Sequence, residues 1–177
     1  MAAPAPLKRP KTADHLMSAK KPIERKHTVY HDDDSLEAFK QADINFGAAK
    51  LLYAEDAPEY IEAKTLLDEA RAELEANTTV IHLRGIGRKA WAELKMAHPP
   101  TDEQNAEIER QVPGAKADWN PDTFIPALIA LSSVDPVFTL EQAQEIANTW
   151  TDGELTDLYA KCLECNQGRR EDVLGKF

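Results

Sequence analysis

Apolar residues recur at spacings of three and four along most of the chain after residue 30, which is the pattern of amphipathic helices. A first helix is predicted to start at Asp34 or Ser35, where acidic residues suit the positive end of the helix dipole. Pro58 at a first helical position predicts a second start, and the Asn120–Pro121 pair predicts another. Capping boxes of the form Thr-x-x-Gln or Thr-x-x-Glu predict three more starts, at Thr101, Thr139 and Thr151.

One stretch departs from the helical pattern. The β-branched run Thr78–Leu83 is the best strand candidate in the chain. A short helix is predicted after it, from Arg88 to Ala97, and the pair Pro99–Pro100 ends that helix. The predicted fold class is therefore mainly α: a compact bundle of short amphipathic helices with at most one or two strands near 78–84.

Charge is distributed unevenly along the chain. Residues 1–30 carry seven Lys and Arg and two acids, whereas the rest of the chain carries a net charge of −15. Because residues 1–30 show no sustained apolar period, they are predicted to form a disordered basic arm. The predicted organisation is this arm, a helical domain over 31–168 and a flexible C-terminal tail over 169–177.

Composition narrows the classes of function. No stretch approaches the roughly 18–20 uninterrupted apolar residues of a membrane-spanning helix. The start of the chain has no apolar segment of a secretory signal, and two cysteines are too few for a disulfide scaffold. The acidic body would repel phosphate backbones, so neither a membrane nor nucleic acid is the expected partner.

Candidate catalytic and metal-binding patterns are weak. The pair Cys162 and Cys165 lacks the second ligand pair of a structural zinc site, and Cys162 falls on an apolar helix stripe where a thiol packs like a small hydrophobe. Asp32–Asp34 lacks the alternating ligands of a calcium loop. The sequence contains no phosphate-binding loop and no nucleophile–base motif. We therefore expect a protein that is not an enzyme, with no catalytic residue, cofactor or metal.

A turn of the form Gly85-Ile86-Gly87 opens a predicted helix and has basic residues around it. It resembles the hairpin of helix-hairpin-helix modules, in which backbone amides at a helix N-terminus hold a DNA phosphate. The strand-like run before the turn and Trp91 after it depart from that pattern. A small nucleic-acid-binding or regulatory module that uses this turn and the basic arm is the alternative function.

The strand-like run, the glycine turn, Trp91 and the pair Pro99–Pro100 are the first of an ordered set of short motifs. The later motifs are Phe124–Ala130, Val134–Pro136 and a helix from Thr151 that ends near Asn166. This set, with its matching gaps over about residues 78–168, is similar to that of tail assembly chaperones of long-tailed bacteriophages of actinobacteria. The family-motif or partner-binding residues that it suggests are Arg84, Gly85, Gly87, Arg88, Trp91, Pro99, Pro100, Phe124, Asp135 and Pro136.

The resemblance implies a role in tail assembly. Such chaperones bind and solubilise the long helical tape measure protein in the host-cell cytoplasm and are absent from the mature virion. The major tail protein is a further partner that the resemblance leaves open, as it does self-association. Trp91 is expected to be largely buried and to anchor its short helix against the C-terminal helices.

Chaperones of the family that this chain resembles are made in two lengths, the longer one through a programmed ribosomal frameshift. The Gly175–Lys176 pair near the end of the chain can be encoded by a slippery run of bases. We therefore expect this chain to be the shorter product, with an overlapping frame that extends it. The DNA sequence around codons 172–177 tests this expectation directly.

Overall fold

The structure is a computed structural model that describes residues 12–14 and 19–168. Half of the basic arm, residues 1–11 and 15–18, lies outside the described residues, as does the predicted tail over 169–177 with Gly175 and Lys176. From residue 20 to 168 the chain forms seven helices and three strands. The helices are α1 Asp33–Leu52, α2 Pro58–Ala76, α3 Arg88–Ala97, α4 Asp102–Gln111, α5 Pro121–Ser132, α6 Leu140–Thr149 and α7 Asp152–Gln167. The strands are β1 Glu24–Tyr30, β2 Thr78–Arg84 and β3 Ser133–Asp135.

The mainly helical class is confirmed, and most of the helix starts are those predicted. Thr101, Thr139 and Thr151 each form a complete capping box, in which the threonine side chain and the third helical residue satisfy each other's backbone amides. The start of α1 differs slightly from the prediction. Its cap is Asp32, whose side chain accepts a hydrogen bond from the Ser35 amide at 2.7 Å.

The strand predicted near 78–84 is confirmed as β2, but the expectation of at most two strands is wrong, because the described residues contain a three-stranded sheet with the order β1-β2-β3. The disordered-arm prediction is likewise wrong for Glu24–Tyr30, which forms β1. Two backbone bonds flank the pairing of β1 with β2: Gly85 donates to Ile23 at 2.9 Å, and His31 donates to Asn77 at 2.9 Å. This register is antiparallel, and it joins residues far apart in sequence. Local composition therefore carried no signal for β1.

The chain divides into two compact units, where the sequence predicted one helical domain over 31–168. The first, which we call the core unit, includes described residues 19–25, 83–133 and 137–168. Its interior is built on α5, which packs against α3, α6 and α7. The side chains that are almost wholly removed from solvent include Leu83, Phe124, Leu128, Ile129, Leu158 and Cys162.

The second unit, the hairpin unit, consists of Lys26–His82 and Val134–Pro136. Its main feature is the antiparallel pair of helices α1 and α2, which pack closely along their length. Phe46 meets Tyr60 edge to face at 5.3 Å, and the Arg71 guanidinium lies 6.0 Å from the Phe39 ring centre. Only a few side chains of these two helices are buried, among them Leu67 and Ala49. The hairpin unit thus leaves much of its apolar surface accessible.

Candidate functional site

The turn between β2 and α3 is held against the end of α7. The Gly85 amide donates to the Ile23 carbonyl oxygen, and a Cβ at Gly85 would lie 2.5 Å from the Cys165 carbonyl oxygen. No side chain fits there without a backbone shift. Packing of the strand end against the helix therefore accounts for a glycine at position 85.

Gly87 has a different structural requirement. It is the cap residue of α3 and has a φ of 85°, a conformation that L side chains rarely adopt. The Ile86 amide between the two glycines donates to Asn166 Oδ1 at 2.9 Å. Because the amides of Gly85 and Ile86 already have protein partners, neither is available to a phosphate in the way that a helix-hairpin-helix turn requires.

Basic side chains nevertheless surround this turn. Arg84 and Arg88 are exposed on either side of it. A cavity of about 300 Å³ beside the turn is lined in part by Lys20 and Lys21, so that the end of the basic arm lies next to the glycine pair. This placement is the structural feature that favours the nucleic-acid alternative.

Trp91 belongs to an aromatic cluster centred on Phe124, which lies on α5. Its ring meets the Phe124 ring edge to face at 5.5 Å, and the Trp119 ring stacks on Phe124 at 4.5 Å. Phe124 is wholly buried, and Trp91 is only partly accessible, with most of its surface removed from solvent. The expectation that Trp91 is largely buried is therefore confirmed. The cluster anchors α3 to α5, so Trp91 has the contacts of a structural core residue.

The remaining motif residues are divided between the two units. Pro99 and Pro100 follow the end of α3 in the core unit, where the Asn120 amide donates to the His98 carbonyl oxygen at 2.9 Å. Asp135 and Pro136 are exposed and belong to the hairpin unit. The motif residues from Arg84 to Phe124 thus share one unit, and the last two do not belong to it.

Cys162 and Cys165 are buried side chains on α7. Burial raises the pKa of the Cys162 thiol to about 12, and burial also raises the pKa of Cys165. A thiol with a raised pKa is a poor nucleophile, because the thiolate is the reactive form. Over the described residues there is no group of three or more His, Cys, Asp or Glu placed to hold a metal ion. Both side chains are buried in the core unit, as core residues are.

None of the helices in the described part of the chain is both long enough and apolar enough to cross a membrane.

The hairpin unit contains a feature that the sequence did not reveal. An open groove of about 450 Å³ runs between α1 and α2. Its apolar lining consists of Ala38, Ala42, Ala63, Leu66 and Ala70. The spacing of Ala38 and Ala42 on one helix, and of Ala63 and Ala70 on the other, was visible in the sequence. That the two stripes face a common groove depends on how α1 pairs with α2.

The rim of this groove is acidic. Glu59 and Glu62 line it, together with the amides Gln41 and Asn45, and its lining includes no basic side chain. Residues 32–76 as a whole carry thirteen Asp and Glu but only four Lys and Arg, a net charge of −9. The groove therefore combines small apolar side chains with a negative potential.

Other apolar side chains of the hairpin unit are also accessible. Eight large ones are at least 38% exposed: Tyr30, Ile44, Leu51, Leu52, Tyr53, Ile61, Leu66 and Val80. Leu51 and Leu52, at the end of α1, are 88% and 73% exposed. Leu51, Leu52 and Tyr53 are consecutive residues, and clustered apolar exposure is typical of surfaces that bind another protein.

No family model, curated protein or solved structure matches this chain.

Proposed function

We propose that this chain is a tail assembly chaperone of a long-tailed bacteriophage, which binds the tape measure protein and keeps it soluble while the tail is assembled. The observation that supports this most directly is the acidic hairpin unit with its accessible apolar surface. The ordered motifs between residues 78 and 168 supply the family resemblance. In this proposal the chain acts by binding, in the host-cell cytoplasm, and does not enter the mature virion.

The physical reasoning concerns the exposed faces of long helices. An unassembled tape measure protein presents apolar helix faces that would associate with one another in water. A helical partner can cover such faces by helix-in-groove docking. Its own net charge of −10 keeps the complex soluble, because like-charged complexes repel. The exposed leucines and isoleucines of α1 and α2 are suited to this covering role.

Co-expression tests the proposal. The tape measure protein encoded in the same genome is produced alone, with this chain, and with an unrelated acidic helical protein of similar size. We expect the tape measure protein to be insoluble alone, soluble with this chain, and insoluble with the unrelated protein. An insoluble tape measure protein in the presence of well-expressed chain would contradict the proposal.

Nucleic-acid binding is the second candidate function, because Lys20 and Lys21 lie beside the glycine turn. It predicts binding of labelled duplex DNA that weakens steeply as salt is raised. It also predicts that Lys20→Gln with Lys21→Gln lowers the affinity, whereas Lys64→Gln, on α2, does not. The chaperone proposal predicts no such binding at physiological salt, since the body of the chain is strongly acidic.

A further inference from the structure

We infer that the groove between α1 and α2 is a docking site for a single basic amphipathic helix, whose small apolar face lies on the alanines while its lysine or arginine side chains reach the acidic rim. This deepens the proposed function, on which it rests, by naming the surface and the chemistry of the segment that it receives.

The shape of the groove fits a helix. On α2 the lining residues run from Glu59 to Ala70, which at 1.5 Å per residue is a length of about 16 Å, or three helical turns. The lining side chains along the floor are mostly alanine, so a third helix can approach to the short end of the usual 8–10 Å interaxial range. Leu66, which is 51% exposed, stands as the one large apolar contact.

The charge of the groove selects a basic occupant. Glu59 and Glu62 form no ion pair among the described residues. Three of the four basic side chains in 32–76 already have local partners. Lys40 pairs with Glu37 at 2.7 Å, Arg71 lies 3.9 Å from Asp68, and the Lys50 ammonium sits 5.0 Å from the Phe46 ring centre. The carboxylates of the rim are thus left for a partner to neutralise.

The same charge argues against a second copy of this chain in the groove. Two copies stacked face to face would place residues 32–76 of each copy, with a net charge of −9, against each other, and juxtaposed like charges strongly disfavour an interface. An acidic or neutral helix would gain the apolar contact but no ion pairs. A basic amphipathic helix gains both.

A peptide titration tests the inference without any tail protein. The probe is an 18-residue fluorescent peptide with alanine and leucine at spacings of three and four and lysine elsewhere. Two reference peptides have the same composition in scrambled order, or glutamate in place of lysine. Fluorescence anisotropy with the full chain is expected to show saturable binding of the probe, at least tenfold weaker binding of the scrambled peptide, and none of the acidic one.

Two pairs of variants locate the binding. Ala63→Trp fills the groove, whereas Ala72→Trp places the same side chain two and a half turns away on the opposite face of α2. Glu62→Lys reverses the charge of the rim, whereas Glu75→Lys makes the same change of net charge away from the groove. We expect at least a tenfold loss of affinity for Ala63→Trp and about a fivefold loss for Glu62→Lys, with little change in either control. Far-UV circular dichroism confirms that each variant folds.

The outcomes separate this inference from the proposed function. Equal loss in Glu62→Lys and Glu75→Lys would show that net charge alone attracts the peptide, and would overturn the groove. A dimer in sedimentation that Ala63→Trp converts to a monomer would assign the groove to a second copy and overturn it as well. If the chain and Ala63→Trp solubilise the tape measure protein equally, the function stands and the groove fails. If the peptide binds in the groove but the tape measure protein stays insoluble, the groove stands and the function fails.

Discussion

Replacing Gly85 by alanine adds one methyl group at the point where β2 meets α7. The new Cβ would lie 2.5 Å from the Cys165 carbonyl oxygen and 3.3 Å from the Cys165 carbonyl carbon. Both atoms belong to a helix backbone, so they cannot turn away as the end of a flexible side chain would. The positive φ values among the described glycines occur at Gly87 and Gly114, so the effect at Gly85 is one of contact and not of backbone strain.

The magnitude follows from three contributions. Overpacking of this kind costs about 1–3 kcal/mol. Moving the strand end away from α7 also weakens the 2.9 Å bond from the Ile86 amide to Asn166, which contributes about 1 kcal/mol. Alanine offsets roughly 0.4–1 kcal/mol by restricting the unfolded chain. The expected loss is about 2–3 kcal/mol in the free energy of unfolding, which lowers a urea midpoint by about 1 M.

Gly47→Ala is the matched control. Gly47 lies in the interior of α1, is exposed, and an added Cβ there would meet nothing within 4 Å. The same methyl group should therefore stabilise the protein by about 0.5–1 kcal/mol.

Urea unfolding measures both variants, by far-UV circular dichroism for the helices and by tryptophan emission for the core unit, which holds all three tryptophans. A wild-type midpoint for Gly85→Ala would refute the contact between β2 and α7. A loss of the same size in Gly47→Ala would show that the effect is not specific to that contact.

Two further predictions concern α7. Asn166→Ala removes hydrogen bonds to Ile86, Ser132 Oγ and the Cys162 carbonyl oxygen, and should lower the free energy of unfolding by about 1–3 kcal/mol in the same urea titration; an unchanged midpoint would mean that these bonds do not form. Because burial raises the pKa of Cys162 from 9.0 to about 12, its thiol ionises first in the unfolded chain, so its contribution to stability is complete below about pH 9 and is lost as the pH rises toward 12. Thermal melts across this range should show a steeper fall for the wild type than for Cys162→Ala, and iodoacetamide should modify Cys162 slowly until urea is added.

Helices were predictable from the sequence because their signals are local. The capping box at Thr101 is formed by residues no more than three positions apart, and a single residue, Pro58, indicates where α2 begins. Strand β1 was not predictable in the same way, since its first half is charged and the segment becomes a strand only by pairing with residues some fifty positions later. The partition into two units also depends on which distant segments pack together.

The candidate site divides along the same physical line. Gly85 and Gly87 could be identified from the sequence as a turn before a helix. The reason that position 85 must be glycine could not, because it is the close approach of Cys165, eighty residues later. The burial of Trp91 was expected from the sequence, but its partner ring, Phe124, was not identified because it is distant in sequence. The groove needed both alanine stripes and the pairing of α1 with α2, and only the stripes are written in the sequence.

The hydrogen bond from the His31 amide to the Asn77 carbonyl oxygen joins the two ends of the α1–α2 segment. The chain therefore leaves β1 and enters β2 at adjacent points. Closing a flexible loop of that length costs about 3 kcal/mol in entropy, whereas a helical hairpin formed first brings the two ends together. A matched turn can therefore be added to or removed from each helix without shifting the register of β1 on β2. Each such step changes the length of the hairpin by about 5.4 Å, so the reach of its surface can vary between related chains while the rest of the fold stays constant.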